Sequence, residues 1–206
     1  MTSPPRRVLR FDDGGWLELV GNHLALDLVN TVSWRLEPDR TVDRLGDGAA
    51  LVRWAAFAGA APGLLPAGPA ADAAATEVRA LREELHGLLQ PALEGRPAEA
   101  PVAQAQALLD RFGRALAVAG PEPGLPLRWS VEVRRAADLP HVLALSAVDL
   151  VRLPELDRLR QCRDGGCGWV FLDRTRNRSR LWCSSADCGN RHRARRHYAK
   201  VRSGAG

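Results

Sequence analysis

Through most of the chain, apolar residues recur every three or four positions, the period of a helix that buries one face. In a few short runs they alternate, the period of a half-buried strand. Trp16, Leu17, Leu19 and Val20 read as a short strand or an extended entry, and Leu24, Leu26, Leu28 and Val29 as a mostly buried helix behind it. Leu51, Trp54, Ala55 and Ala58 predict a second helix, with Gly59 as its stop. After the connector APGLLPAGPAA, Asp72 is placed as the cap of a long helix running to about Glu94. Val78, Leu81, Leu85 and Leu88 form its stripe, and Pro91 weakens its last turn. A further helix is predicted over roughly Pro101 to Ala119, and another through LPHVLALSAVDLVRLP that ends before Pro154. Between them Leu127, Trp129, Val131 and Val133 alternate with polar residues, as one arm of a hairpin would. The pattern predicts an α+β chain that is mainly α. A helical body with a small β element spans residues 1–154, and a separate module spans 155–206.

Composition changes this picture little; charge changes it more. At 206 residues and 46% apolar content, the chain suits a main domain with its own core plus a small module. No apolar run reaches the length of a membrane span, and MTSPPRRVLRFDDGG has no apolar stretch after its arginines. Neither a membrane nor a secretory signal is expected, and the expected compartment is the cytoplasm. Fourteen basic and five acidic residues lie between Arg152 and Arg202, a net +9 in a chain of net +5, so the remainder is mildly acidic. Such asymmetry is the electrostatic footprint of nucleic acid or another anionic partner.

All four cysteines fall in this basic stretch, as Cys162-x4-Cys167, fifteen residues, then Cys183-x4-Cys188. Tetrahedral zinc suits that spacing: each close pair supplies two thiolates from one turn, and the loop between brings the pairs to one ion. A redox pair, two disulfides and unrelated buried thiols are the competing readings. The first is more often spaced C-x-x-C, and the second sits poorly in a reducing cytoplasm. Gly165 and Gly166 suit a knuckle in CRDGGC. GWVFLD and SRLWC look strand-like around the turn RTRNR, and the residues after Cys188 project as a helix with Ala194, His197, Tyr198 and Val201 on one arc. Knuckle, hairpin and helix make a treble-clef-like four-cysteine finger, too small for a core of its own and dependent on one structural Zn2+. His192 and His197 are spare, since four thiolates complete the tetrahedron. Trp169, Phe171, Leu181 and Trp182 are expected to form the finger's small core and its seam with the body.

FLDRTRNRSRLWCSSADCGNR, ending in Cys188-Gly189-Asn190-Arg191, resembles the CGNR zinc-finger family. LALDLVNTVSWR and LVRWAAFAG resemble the domain named ABATE that precedes the finger there, in proteins classed as stress-induced transcription regulators. The resemblance covers nearly the whole chain. A pair of arginines common before the third cysteine is Arg180-Leu181 here. What the resemblance implies is a bacterial protein with a zinc-bound, nucleic-acid-binding finger and a body that senses a small molecule.

On this reading Cys162, Cys167, Cys183 and Cys188 hold the metal. Arg174, Arg176, Arg178 and Arg180 on the hairpin, with Arg191, Arg193, Arg195, Arg196 and Lys200 on the helix, neutralise DNA phosphates or reach guanine. One finger buries little area, so a homodimer is the expected route to sequence specificity. The same finger suits the A-form backbone of RNA, and a protein-docking module without sequence-specific DNA binding is a further alternative. Catalysis is not expected: the chain has no Gly-rich phosphate loop and no nucleophile elbow, and Leu172 and Asp173 follow Phe171 where finger-type nucleases need a histidine base. His23 and Asp27, one helical turn apart with Asn30 beyond, read as a surface or capping pair. Trp16, Trp34, Trp54 and Trp129 read as core, and no residue stands out as a ligand contact.

Overall fold

A computed structural model describes residues 8–96, 101–124 and 128–203. Leu127, at the start of the predicted strand, lies outside them. The fold is mainly helical, about 51%, and its strands pair only locally. β1 (Val8–Arg10) and β2 (Trp16–Glu18) form an antiparallel hairpin ahead of α1 (Leu24–Val29). β3 (Val32–Ser33) pairs with β4 (Val42–Asp43), and α2 (Gly48–Ala58), α3 (Pro69–Leu93) and α4 (Val102–Leu116) follow. β5 (Gly120–Pro121) pairs with β6 (Trp129–Ser130), and α5 (Leu139–Val151) returns to the core. β7 (Leu159–Gln161) pairs with β8 (Val170–Leu172), and α6 (Cys188–Ser203) comes last. No helix among the described residues is long and apolar enough to cross a membrane.

The core is helix on helix. α3 packs on α2, α4 and α5, and α1 lies against α3 and α5. Leu26, Leu28, Trp54, Leu81, Leu85, Leu139, Leu143 and Leu150 are fully buried, each worth roughly 1.5–3 kcal/mol of burial. α2 starts because the Asp47 carboxylate accepts from Ala50 N–H, and it stops at Gly59, whose φ of +77° favours glycine. α3 begins at Pro69 behind Gly68 rather than at Asp72, whose carboxylate instead accepts from Gly48 N–H at 2.8 Å and ties α3 to the start of α2. The helix also runs through Pro91 to Leu93: a proline this close to the end forfeits only one hydrogen bond. Arg82 is buried on α3 and donates to both oxygens of Asp43 at 2.7 Å. Burial alone would raise the Asp43 carboxyl, but that pairing holds it below the usual carboxylate range.

One expectation fails outside the core. Among the described residues the predicted strand from Leu127 to Val133 is only two residues long, and Trp129 is 48% exposed, its ribbon partner being the short Gly120–Pro121. α4, at Val102–Leu116, matches the rough bounds expected of it.

Candidate metal centre and nucleic-acid surface

The first cysteine pair sits on the turn between β7 and β8. The Cys162 N–H donates to the Trp169 carbonyl at 2.8 Å and closes the ribbon, and the Cys167 N–H donates to Asp164 at 3.0 Å inside the turn. The second pair brackets the turn that launches α6. There the Gly189 N–H reaches the Ser184 carbonyl, and Cys188 is the first helical residue. This corrects the predicted hairpin. β8 pairs with Leu159–Gln161, and SRLWC is not a strand. The cause is local: the buried Asp173 carboxylate accepts from the N–H groups of Thr175 and Arg180 and folds the intervening residues into a loop.

One reactive atom from each of Cys162, Cys167, Cys183 and Cys188 lies within 4.8 Å of every other, and all four are buried. Zinc with bonds of about 2.3 Å sets tetrahedral sulfurs about 3.8 Å apart. The Cys167–Cys183 and Cys183–Cys188 sulfurs are 3.7 and 3.3 Å apart. None of the four is in a disulfide. The four thiols perturb one another: hydrogen bonds from Cys167, Cys183 and Cys188 hold the Cys162 thiol down. Hydrogen bonding to Cys162 and Cys167, then burial, pushes the Cys188 thiol up, and Cys183 rises for the same reasons. The donor set of four cysteines fits one Zn2+, which would bind them as thiolates in place of their protons.

The residues after Cys188 serve this centre, which the sequence reading missed for Arg191. Gly189 lets the Trp182 ring approach, since a Cβ there would lie 3.2 Å from it. The Asn190 amide donates to the Ala186 carbonyl at 2.8 Å and braces the turn. Arg191 donates to the Cys188 sulfur at 2.9 Å, to Asp187 at 2.5 Å and to the buried Asp164 at 3.0 Å. Its guanidinium also lies 4.5 Å from the Trp34 ring centre, on the body. Charge spacing alone does not separate such a bracing arginine from one that faces outward.

The finger is stitched to the body through the segment from Gly21 to Leu36. Asn30 exchanges two hydrogen bonds with Val170, and Asn22 donates to the Leu172 carbonyl at 2.8 Å. The Trp169 indole donates to the Val32 carbonyl at 2.9 Å, and the Arg35 and Leu36 N–H groups reach the Cys167 and Gly166 carbonyls. Val170, Phe171 and Leu172 are fully buried in the same core as the helices. His23 caps α1, accepting from Ala25 N–H, and burial lowers its pKa. Asp27 accepts from Gly21 N–H at 2.8 Å, and burial raises its carboxyl to about 6. His23 is the cap, and Asp27 ties the chain ahead of it to the helix.

The basic residues divide into three groups. Arg180 and Arg191 are committed internally: Arg180 donates to the Val20, Trp182 and Cys183 carbonyls and lies 3.9 Å from the Phe171 ring centre. Partners within the finger hold Arg174 on Glu155, Arg178 on Asp157, Arg193 on Ser185 and Asn190, and Arg195 on Asp164, all with exposed side chains. Arg176 and Arg196 are exposed with no ion pair among the described residues, and Lys200 is exposed on α6. The predicted apolar arc of α6 is exposed: Tyr198 and Val201 are 63% and 55% exposed, and His197 meets the Tyr198 ring. Among the described residues no surface covers that arc. Of the expected finger core, Trp169 and Phe171 are buried, Trp182 stacks on His192 at 4.6 Å, and Leu181 is exposed.

Comparison with known families agrees with this geometry. The family ABATE, described as "Putative stress-induced transcription regulator", matches residues 22–154, and the family described as "CGNR zinc finger" matches 158–201. No curated protein matches the chain.

Proposed function

We propose, on the premise that the chain belongs to the ABATE family and carries a CGNR zinc finger behind that domain, that it regulates transcription by binding duplex DNA through the outer part of α6. The observation that carries this reading is exposure: every residue of α6 from Arg193 to Arg202 is exposed, and Arg193, Arg195, Arg196, Lys200 and Arg202 stand there. A helix held at its first turn by metal and bare beyond it suits an outside partner. Its basic length, about 15 Å, suits the major groove. Arg176 on the preceding loop extends the same charge. The division into a sensing body over 1–154 and a reading finger over 155–206 is part of the proposal, as are a homodimer and action in the cytoplasm, where bacterial DNA lies. Catalysis has no part in it.

The test is duplex-DNA binding by the zinc-loaded protein across a salt series, beside Cys183→Ser. With about six phosphate contacts, affinity falls roughly 10³-fold between about 50 and 200 mM salt. Steep dependence, lost in the variant, supports the reading. A flat series, or undiminished binding by the variant, sinks it. Structured RNA that outcompetes duplex DNA reassigns the finger to RNA.

A further inference from the structure

A cavity of about 220 Å³ lies on the seam between body and finger. Trp16, Trp34, Ser33 and Arg44 wall it from the body, and Trp169 and Arg191 from the finger. Trp16 and Trp169 meet edge to face, with ring centres 6.2 Å apart and an interplanar angle of 85°, which makes an apolar corner. Such a corner takes a flat ring. The volume suits a single-ring molecule.

The charges facing the cavity differ in what they have left to give. Arg191 spends its donors on Asp164, Asp187 and the Cys188 sulfur. Asp187, the one carboxylate in the lining, is paired with Arg191. Cys167 and Cys183 also border the cavity, and Arg180 and Arg191 stand beside the cysteine cluster, donating to the Cys183 carbonyl and the Cys188 sulfur. Arg44 donates from Nη1 to Asp13 at 2.5 Å and from Nε to Ser33 at 3.4 Å, while its Nη2 makes no hydrogen bond among the described residues. Its guanidinium is fixed against the backbone of Gly15, where a Cβ would lie only 2.3 Å away. A fixed guanidinium with a spare N–H is a carboxylate receptor.

We propose that this cavity binds a small single-ring aromatic carboxylate, with its ring in the Trp16–Trp169 corner and its carboxylate on Arg44. The proposal rests on the reading of the body as a sensor and not on DNA binding. An occupant touches both halves of the molecule, and Arg191 links its wall to the first turn of α6.

Calorimetric titration of the full-length, zinc-loaded protein with benzoate, benzamide and benzylamine tests it. Saturable benzoate binding is expected, with benzamide weaker by roughly tenfold or more and benzylamine weaker still. Arg44→Gln should lose benzoate, with zinc content and melting temperature recording whether that variant folds. Trp16→Leu, which leaves the contacts of Arg44 intact, should weaken benzoate and benzamide alike. Equal binding of benzoate and benzamide, tighter binding of benzylamine, no binding by any of them, or undiminished benzoate binding by a folded Arg44→Gln overturns the proposal. The benzoate–benzamide comparison needs no variant. DNA affinity measured on the same samples keeps the two readings apart: DNA binding without benzoate binding removes the ligand and leaves the regulator.

Discussion

Asn30 and Val170 are locked across the seam by a reciprocal pair. The Asn30 amide nitrogen donates to the Val170 carbonyl and its amide oxygen accepts the Val170 N–H, each at 2.8 Å. One buried side chain thereby does for β8 what a neighbouring strand would do, on the side away from β7.

Replacing Asn30 with leucine keeps the bulk and removes both partners, leaving a buried N–H and carbonyl unpaired. Two such groups cost roughly 2–4 kcal/mol. Urea unfolding should show that loss, and hydrogen exchange should show early opening of the Val170 amide. A loss under about 0.5 kcal/mol, ordinary for a surface change, would mean that the finger docks without this pair.

Arg180 and Arg196 look alike in the sequence and should behave in opposite ways. Arg180→Ala strips donors from the Val20, Trp182 and Cys183 carbonyls, so it should lower stability by about 1–3 kcal/mol. Arg196→Ala should leave melting unchanged and reduce the salt slope of DNA binding by about 1. Unfolding curves and a salt series on the same two variants decide it.

This contrast shows how much was legible beforehand. Cysteine spacing foretold the metal cluster because two short loops and one ion leave little freedom. Helical spacing foretold α1, α2 and α5 because their apolar stripes find partners in one core. The partner of β8 was hidden: SRLWC has the residue types of a strand, and only the Asp173 loop turns it away from pairing. Arg191 was hidden because a guanidinium bracing a thiolate has the same letter as one aimed at phosphate. The arc of Tyr198 and Val201 misled because periodicity says which residues share a face, not whether anything covers it.

Asp27 makes stability depend on pH in an unusual direction. Burial raises its carboxyl from the ordinary 3.8 to about 6, while its hydrogen bonds from Gly21 and Val20 and the charge of Arg180 work against that rise. Below about pH 4 both folded and unfolded chains are protonated at this group. Between about 4 and 6 the folded chain holds a proton that the unfolded chain has released, so stability falls as pH rises through that window. The full cost, roughly 3 kcal/mol, stands above it. Asp27→Asn keeps an acceptor for Gly21 without the charge. Its stability relative to the parent should therefore rise by roughly 2–3 kcal/mol from about pH 4 to pH 7. Parallel pH curves for the two proteins would refute the assignment.

Zinc removal should divide the finger rather than dissolve it. β8 is tied to the body independently of the metal, through Asn22, Asn30 and the Leu172 N–H on the Gly21 carbonyl, and its three residues are fully buried. The second cysteine pair and α6 have far less to hold them: beyond the sulfurs, α6 is anchored mainly by Arg191 on Asp164 and Trp34 and by Arg195 on Asp164. Apo protein should therefore keep the Val170 and Leu172 amides protected while those of Gly189 and Arg191 exchange freely, and it should lose DNA binding. Exchange at all four sites together would instead mean that metal, finger and body unfold as one unit. In that case the seam, not the sulfur cluster alone, would set the stability of α6.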